Sequence, residues 1–399
     1  MELLFYTIIL TPSFVCLFWM AVLLLGVKSA NIILRRRLPE QVLMGRRRLA
    51  FFMAVAATLY ICHATYYAQV LTIQPLMNVI YAACNQAVYP LFLLYISTLA
   101  GECAGFRTLL HWRWNILLLP SLLRLLIGIA LLLADIEPTA SLYVTIRFID
   151  KVFFLIVMLI SVVLCIRIMQ RHDKKIANYY ADIEGKTMEP FRLLLLLMIV
   201  CMAGSIISLF LGRAYFAEKI WLLILPSLLF SSTLFLIGFE GMRWNIQEPW
   251  ELPTDAEPDR SPESEELVAP EQSEDDPKPE NAESTTAAGN QLYDRVVEVL
   301  RQQHLYLQPN LKITDLTRLL GTNRTYLYQA INVERGLSFS ELVNRLRVEH
   351  AVQLMRRSPE ALLDEVAVQS GFSSSASFYR NFRQFQGCSP REFLLRLAT

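Results

Sequence analysis

The stretch Leu311–Phe393 reads LKITDLTRLLGTNRTYLYQAINVERGLSFSELVNRLRVEHAVQLMRRSPEALLDEVAVQSGFSSSASFYRNFRQFQGCSPREF. Ile313, Leu316, Leu319 and Leu320 fall at helical spacing, and Gly321 stops that helix where a left-handed residue is easiest to place. A second helix begins at Asn323. Leu327 and Ile331, four apart, face inward there and leave Thr325, Tyr328 and Gln329 together on the opposite face. The plan then repeats. Leu362, Leu363, Val366 and Val368 belong to a first helix, Gly371 breaks it, and Ser373 or Ser374 caps the next. On that last helix Phe378, Phe382 and Phe385 form the buried stripe, so Ser375, Ala376, Tyr379, Arg380 and Arg383 turn outward.

Two helix pairs are thus joined by one longer helix, about Ser340 to Arg357. Ser338 with Glu341 and Ser389 with Glu392 form capping boxes, and Pro359 and Pro390 sit at first-turn positions. Polar or small side chains on the outer face of the second helix of such a pair suit entry into a DNA major groove. An ordinary helical bundle with a solvated face has the same pattern. From Gln291 onward the segment is only mildly positive, so charge alone does not separate the two.

The runs GFSSSASFYRNFRQFQGCSPREF at Gly371–Phe393 and LSFSELVNRLRVEHAVQLM at Leu337–Met355 resemble the DNA-binding domain of the AraC/XylS family of bacterial transcription regulators. The resemblance covers roughly the last quarter of the chain. It implies a double helix-turn-helix domain in which each unit sends its second helix into the major groove. Carried over by position, Thr325, Tyr328 and Gln329 read bases in the first unit, and Ser375, Ala376, Tyr379 and Arg380 do so in the second. Arg324, Arg383 and the helix N-termini hold phosphates. Two positions depart from the family pattern. Gln329 stands where many members carry a basic residue, and Ala376 lacks a polar atom, which shifts readout toward a thymine methyl or DNA shape. The connecting helix, on the order of 27 Å long, sets the reading helices about one DNA turn (roughly 34 Å) apart. The implied partners are double-stranded promoter DNA and RNA polymerase.

The 399 residues carry a formal net charge of +1 and are 54% hydrophobic, but these averages hide three regimes. Residues 1–247 are apolar with a surplus of Arg and Lys, residues 248–290 are acidic, and residues 291–399 form the mildly basic domain above. The expected fold class is all-α: a seven-span transmembrane helical domain, a disordered linker and the double helix-turn-helix domain. A bilayer span needs about 20 mostly apolar residues. Seven segments qualify, near Leu3–Val27, Leu49–Val70, Leu76–Ala100, Asn115–Ala134, Val152–Met169, Phe191–Gly212 and Ile220–Glu240. The first lacks the basic flank and cleavage pattern of a signal peptide and is expected to stay as a span.

Lys28, Arg35, Arg36, Arg37, Arg46, Arg47 and Arg48 crowd the first connection. Arg107 and Arg113 lie in the third, and Arg167, Arg171, Lys174, Lys175 and Lys186 in or beside the fifth. The even connections offer only Arg147, Lys151, Arg213 and Lys219. The positive-inside rule then sets the N-terminus outside and the C-terminus in the cytoplasm of a bacterial inner-membrane protein. The linker, rich in Pro, Glu, Asp and Ser without an apolar face, has the composition of a disordered tether with a reach of about 35 to 40 Å.

Polar residues within the spans mark where a sensor is to be sought. Arg124 falls near the middle of the fourth span, where an unpaired charge costs at least about 2.5 kcal/mol, so it calls for a partner or water. His63 in the second span, and Asn85 and Gln86 in the third, are the other sensor residues, with interhelical hydrogen bonding as their structural alternative. The seven cysteines include no close pair and no metal-ligand spacing. Catalytic residues, metal and cofactor are therefore not expected. The expected function is a membrane-tethered transcription regulator rather than an enzyme, with the signal ligand unknown and membrane lipid as a partner. Its signal would pass through homodimerisation or proteolytic release. The alternative is an integral-membrane transporter or enzyme with a self-regulatory DNA-binding tail, and no internal repeat or intramembrane acid–base pair in the sequence supports it.

Overall fold

The structure, a computed structural model of the chain, describes residues 2–33, 40–67, 72–101, 116–135, 141–211, 222, 224–246 and 282–398. Its described residues are helical, without a β-strand. Two compact units emerge: Met1–Arg171 with Met188–Trp250, and His172–Thr187 with Glu251–Thr399.

The first unit contains α1 (Glu2–Ile33), α2 (Glu40–Tyr67), α3 (Gln74–Leu99), α4 (Leu119–Leu133), most of α5 (Ser141–Tyr179), α6 (Glu189–Leu211) and α7 (Ile224–Ile246). Helix α1 packs on α2 and α7, α2 on α3, α3 on α4, and α6 on α7. Buried Leu49, Phe52, Phe92, Tyr95 and Phe191 form the centre of its core. Gly238 lets α7 approach α1: a Cβ there would lie 2.3 Å from the Trp19 ring, and small residues admit such close approach between apolar helices. Leu122, Leu126, Phe148, Phe153 and Leu159 face outward from α4 and α5, a surface better suited to hydrocarbon than to water.

Among the described residues five helices are long and apolar enough to cross a membrane: Leu43–Thr65, Gln74–Leu99, Ile116–Leu133, Val144–Tyr179 and Ile224–Trp244. The apolar stretch described in α1, Leu10–Leu25, is shorter. The expected sixth span falls on α6, which is not among these five. Several basic residues expected in or beside the connections lie within helices. Arg46, Arg47 and Arg48 lie in α2, and Arg147, Lys151, Arg167 and Arg171 lie in α5. Arg46 is buried, and Arg48 Nη1 donates to Leu94 O at 3.0 Å and to the Thr98 hydroxyl, so the Arg48 guanidinium ties α2 to polar atoms of α3. Arg35, Arg36, Arg37, Arg107, Arg113, Arg213 and Lys219 lie outside the described residues.

In the second unit α8 spans Ala282–Gln302, so it begins within the segment expected to be linker; residues 248–281 of that segment lie outside the described residues. A single 3₁₀ turn, Leu305–Leu307, leads to the first helix pair, α9 (Ile313–Leu320) and α10 (Arg324–Tyr328), the latter continued by a π turn at Gln329–Val333. Helix α11 (Phe339–Arg357) joins it to α12 (Leu363–Gln369) and α13 (Ser375–Gln386), and α14 (Pro390–Ala398) closes the domain. Both expected capping boxes form, with Ser338 N donating to Glu341 Oε2 at 2.7 Å and Ser389 N to Glu392 Oε2 at 2.8 Å. Gly371 has φ of 82°, and a Cβ there would meet the Leu307 backbone at 2.7 Å, so both the turn and the close approach require glycine.

The junction between the two pairs is polar and closed. Arg347, 1% exposed, donates from Nε to Tyr306 O at 2.6 Å, from Nη2 to Gln308 O at 2.7 Å and from Nη1 to Asn344 Oδ1 at 3.1 Å. Its guanidinium also lies 5.7 Å from the centre of the Phe372 ring. Burial pulls this group down to about 10, with Asp182 opposing the shift, and it remains charged at neutral pH. Arg347 is therefore an internal tie, although by sequence it counted among the basic residues of the domain.

Candidate functional site

On α10, Leu327 and Ile331 are buried as the spacing predicts, while Thr325, Tyr328 and Gln329 are exposed. Asn323 caps the helix by accepting from Tyr326 N at 2.9 Å. The π turn that follows has Glu334 N donating to Gln329 O at 3.2 Å, so Gln329 sits where the helix widens. Arg324 is half-buried at the start of α10.

On α13 the cap is Ser374, whose Oγ accepts from Ser377 N at 3.1 Å. Phe378 and Phe382 are fully buried, Phe385 is half-buried, and Ser375, Ala376, Tyr379, Arg380 and Arg383 face solvent. The Phe372, Phe378, Phe382 and Phe393 rings meet in succession with centroids 5.4 to 5.5 Å apart, fixing the rotation of α13 and hence the face it presents. Ser375 Oγ donates to Asp364 Oδ1 at 2.6 Å, so this hydroxyl is engaged by α12. Three apolar residues of the sequence pattern, Leu319, Leu362 and Val368, are exposed rather than inward.

The sensor residues separate into two groups. Arg124 finds its partner in Asp150, with Nε 3.1 Å from Oδ2, and Gln86 Nε2 also donates to the Asp150 carboxylate. Asp150 lies two residues before the expected fifth span, Val152–Met169, whereas α5 begins at Ser141 and carries it within the helix. The pair answers the cost of burying Arg124 by neutralising it. His63 and Asn85 instead line a cavity of ≈ 100 Å³ between α2, α3, α5, α6 and α7, together with Tyr60, Tyr81, Tyr89 and Thr233. The His63 ring meets Tyr81 edge-on at 4.7 Å. Gln86 does not line this cavity.

Sequence reasoning missed the segment 172–187, which belongs to the C-terminal unit. Ala181 N donates to Leu311 O at 3.0 Å, and Ala181 O accepts from Ser340 Oγ at 2.8 Å and Asn344 Nδ2 at 3.3 Å. Tyr180 pairs in an isolated antiparallel bridge with Lys312. The available signal was Ser340, Asn344 and Arg347, polar residues at i, i+4 and i+7 that share one face of a helix.

A family described as a helix-turn-helix domain matches residues 316–396. An uncharacterized HTH-type transcriptional regulator of Staphylococcus aureus strain MSSA476 is 30% identical over 100 residues, 25% of this chain and 13% of that protein, and its counterpart in strain N315 matches equally. The TCP pilus virulence regulatory protein of Vibrio cholerae is 33% identical over 89 residues, 22% of this chain and 32% of that protein. The chain thus spans 13% of the length of the Staphylococcus relatives it matches. No solved structure matches it. The outward-facing residues on α10 and α13, the buried junction at Arg347 and these matches identify the C-terminal domain as an AraC-type helix-turn-helix domain.

Proposed function

We propose that this chain is a membrane-bound transcription regulator that binds promoter DNA sequence-specifically through two helix-turn-helix units. The observation that carries the proposal is the presence, in one chain, of two solvent-facing reading helices in a domain of this family and five helices apolar enough to cross a membrane. In this reading Thr325, Tyr328, Gln329, Ser375, Ala376, Tyr379 and Arg380 face bases, and Arg324 and Arg383 face phosphates. The Ser375–Asp364 hydrogen bond shifts weight in the second unit toward Tyr379 and Arg380.

The membrane part, residues 1–247 with seven spans, keeps the N-terminus outside and the DNA-binding domain in the cytoplasm of a bacterial cell, where DNA and RNA polymerase are its partners. The tether expected at residues 248–290 is shortened by α8 to residues 248–281, and a homodimer would occupy paired sites. The signal, a small or lipid-borne molecule, enters the cavity beside His63 and Asn85, whose aromatic walls and few polar atoms are typical of a ligand site. The Arg124–Asp150 pair holds the helices that surround it.

Genome-wide DNA occupancy of the full-length, membrane-inserted protein tests the reading. Enrichment at a small set of promoters is expected, and Arg380→Ala should weaken it without lowering protein level or membrane insertion. A full-length protein that enriches no promoter over the genomic background would refute sequence-specific regulation, and an Arg380→Ala profile equal to the wild type would remove Arg380 from the readout.

A further inference from the structure

The last two turns of α5 and the connection to α6 make contacts that an ordinary loop does not. Ile176, Tyr180 and Ala181 are 0%, 5% and 0% exposed, buried against the C-terminal domain. The Lys186 and Lys312 ammonium groups lie over the Tyr180 ring, 5.1 and 5.7 Å from its centre. The backbone of Ala181 serves as a strand-like edge for Leu311 and as the acceptor for Ser340 and Asn344 on the buried face of α11.

The same segment reaches both helix-turn-helix units. Asn332 Nδ2, at the end of the π turn after α10, donates to Asn178 Oδ1 at 2.6 Å. The Ser374 hydroxyl, the cap of α13, donates to the Glu184 carboxylate. The free N–H groups and positive pole of a helix N-terminus attract one anion, and here a carboxylate of the chain itself already stands beside them. A DNA phosphate at that place would meet like charge at close range.

Resting on the regulator reading above, we infer that residues 172–187 are a latch on the DNA-binding domain: docked, they put the Glu184 carboxylate at the phosphate end of α13, so that docking and DNA binding compete. The surface formed by Leu311, Lys312, Asn332, Ser340, Asn344 and Ser374 is the receptor for this segment of the chain. The segment begins as the last two turns of α5, which is unbroken from Ser141 to Tyr179 and also supplies Asp150 and one wall of the cavity through Phe154. A shift of α5 on signal binding therefore moves the latch without any torque through residues 248–281.

The test uses the full-length protein in lipid nanodiscs and, as probe, a duplex that the wild-type protein selects from a random-sequence pool. Asn178→Cys combined with Asn332→Cys locks the latch by a disulfide, with each single variant as control for the native cysteines. Oxidation should form the crosslink and weaken specific binding by roughly tenfold or more, a typical coupling between sites, and reductant should restore it. Glu184→Gln, which needs no crosslink, should tighten binding roughly two- to fivefold, the scale of a charge at a helix end. Failure of the crosslink to form, or an oxidised protein that binds as tightly as the reduced one, would overturn the latch, as would a Glu184→Gln variant with unchanged or weaker binding. If the wild-type protein selects no sequence at all, the regulator reading fails, and the latch falls with it.

Discussion

The two helix-turn-helix units share a topology but are built by different means. The second reading helix is a regular run, Ser375–Gln386, capped by Ser374, ended by Gly387 at φ of 71°, and fixed in rotation by the ring contacts of Phe372, Phe378 and Phe382. In the first unit, Arg324–Tyr328 gives way to a π turn, the buried contacts are aliphatic, and α8 packs onto the turn from outside. Its Asn332 leans on Asn178, far away in the chain. Local propensity, capping and packing agree in the second unit, while the first takes its shape from its neighbours.

Core truncation puts the largest strain on this contrast. Phe378→Ala should destabilise the C-terminal domain by about 3 to 5 kcal/mol, and Leu327→Ala by about 2 to 5 kcal/mol. Hydrogen exchange resolved by segment distinguishes the two units. With Phe378→Ala, faster exchange should be centred on α13 and α14, whereas Leu327→Ala should also loosen α8. Equal spreading from both sites would show that the units do not differ in how they are held.

The same contrast separates what the sequence could disclose from what it could not. Caps and stops were legible because Ser338, Ser389, Gly321 and Gly371 act on residues within one turn of themselves. The face of α13 was legible because its phenylalanines keep one period. Leu319 and Val368 also kept the period yet are exposed, since helices as short as α9 and α12 bury only a narrow stripe. Partners remote in the chain were not legible. Arg124 announced a missing partner, but Asp150 can be named only once α3, α4 and α5 are placed side by side. Ser340 and Asn344 likewise required an acceptor, and nothing near them in sequence pointed to the carbonyl of Ala181. The burial of Arg347 was not legible either, because its acceptors, Tyr306 O and Gln308 O, lie 41 and 39 residues earlier in the chain.

Readout offers a smaller and sharper test. If the second unit presents its side chains more rigidly, Arg380→Ala should cost about 1 to 3 kcal/mol in specific DNA affinity and relax selectivity at one or two base positions. Gln329→Ala, in the widened turn, should cost less and leave selectivity nearly unchanged. Titration of each variant with matched and singly mismatched duplexes at fixed salt measures both. A larger loss at Gln329 would reverse the ranking of the two units.

Capping comes next in size. Ser374→Ala and Asn323→Ala each remove one acceptor from a helix N-terminus, a loss of about 1 kcal/mol in typical hosts. The effects should differ in direction of propagation rather than magnitude. Ser374→Ala also releases the Glu184 carboxylate, so its thermal shift should shrink in an Glu184→Gln background, while that of Asn323→Ala should be the same in both backgrounds. A double-mutant cycle on the melting temperature reads this coupling directly.

The smallest expected effect belongs to the box at the start of α14. Ser389 N and Oγ hold the Glu392 carboxylate below the usual carboxylate range, the backbone bond being the larger cause. A carboxylate whose value is depressed on folding contributes stability above its ordinary value, near pH 4.3 in an unfolded chain, and loses it as pH falls through the lowered value. Melting curves of the wild type and Glu392→Gln should therefore differ slightly at neutral pH and converge in acid. Because the group is fully exposed, added salt should narrow the gap as well. A gap that persists unchanged to low pH would mean that Glu392 acts by packing and hydrogen-bond shape alone, and the second unit would then lack the charge-assisted cap that its sequence pattern announces.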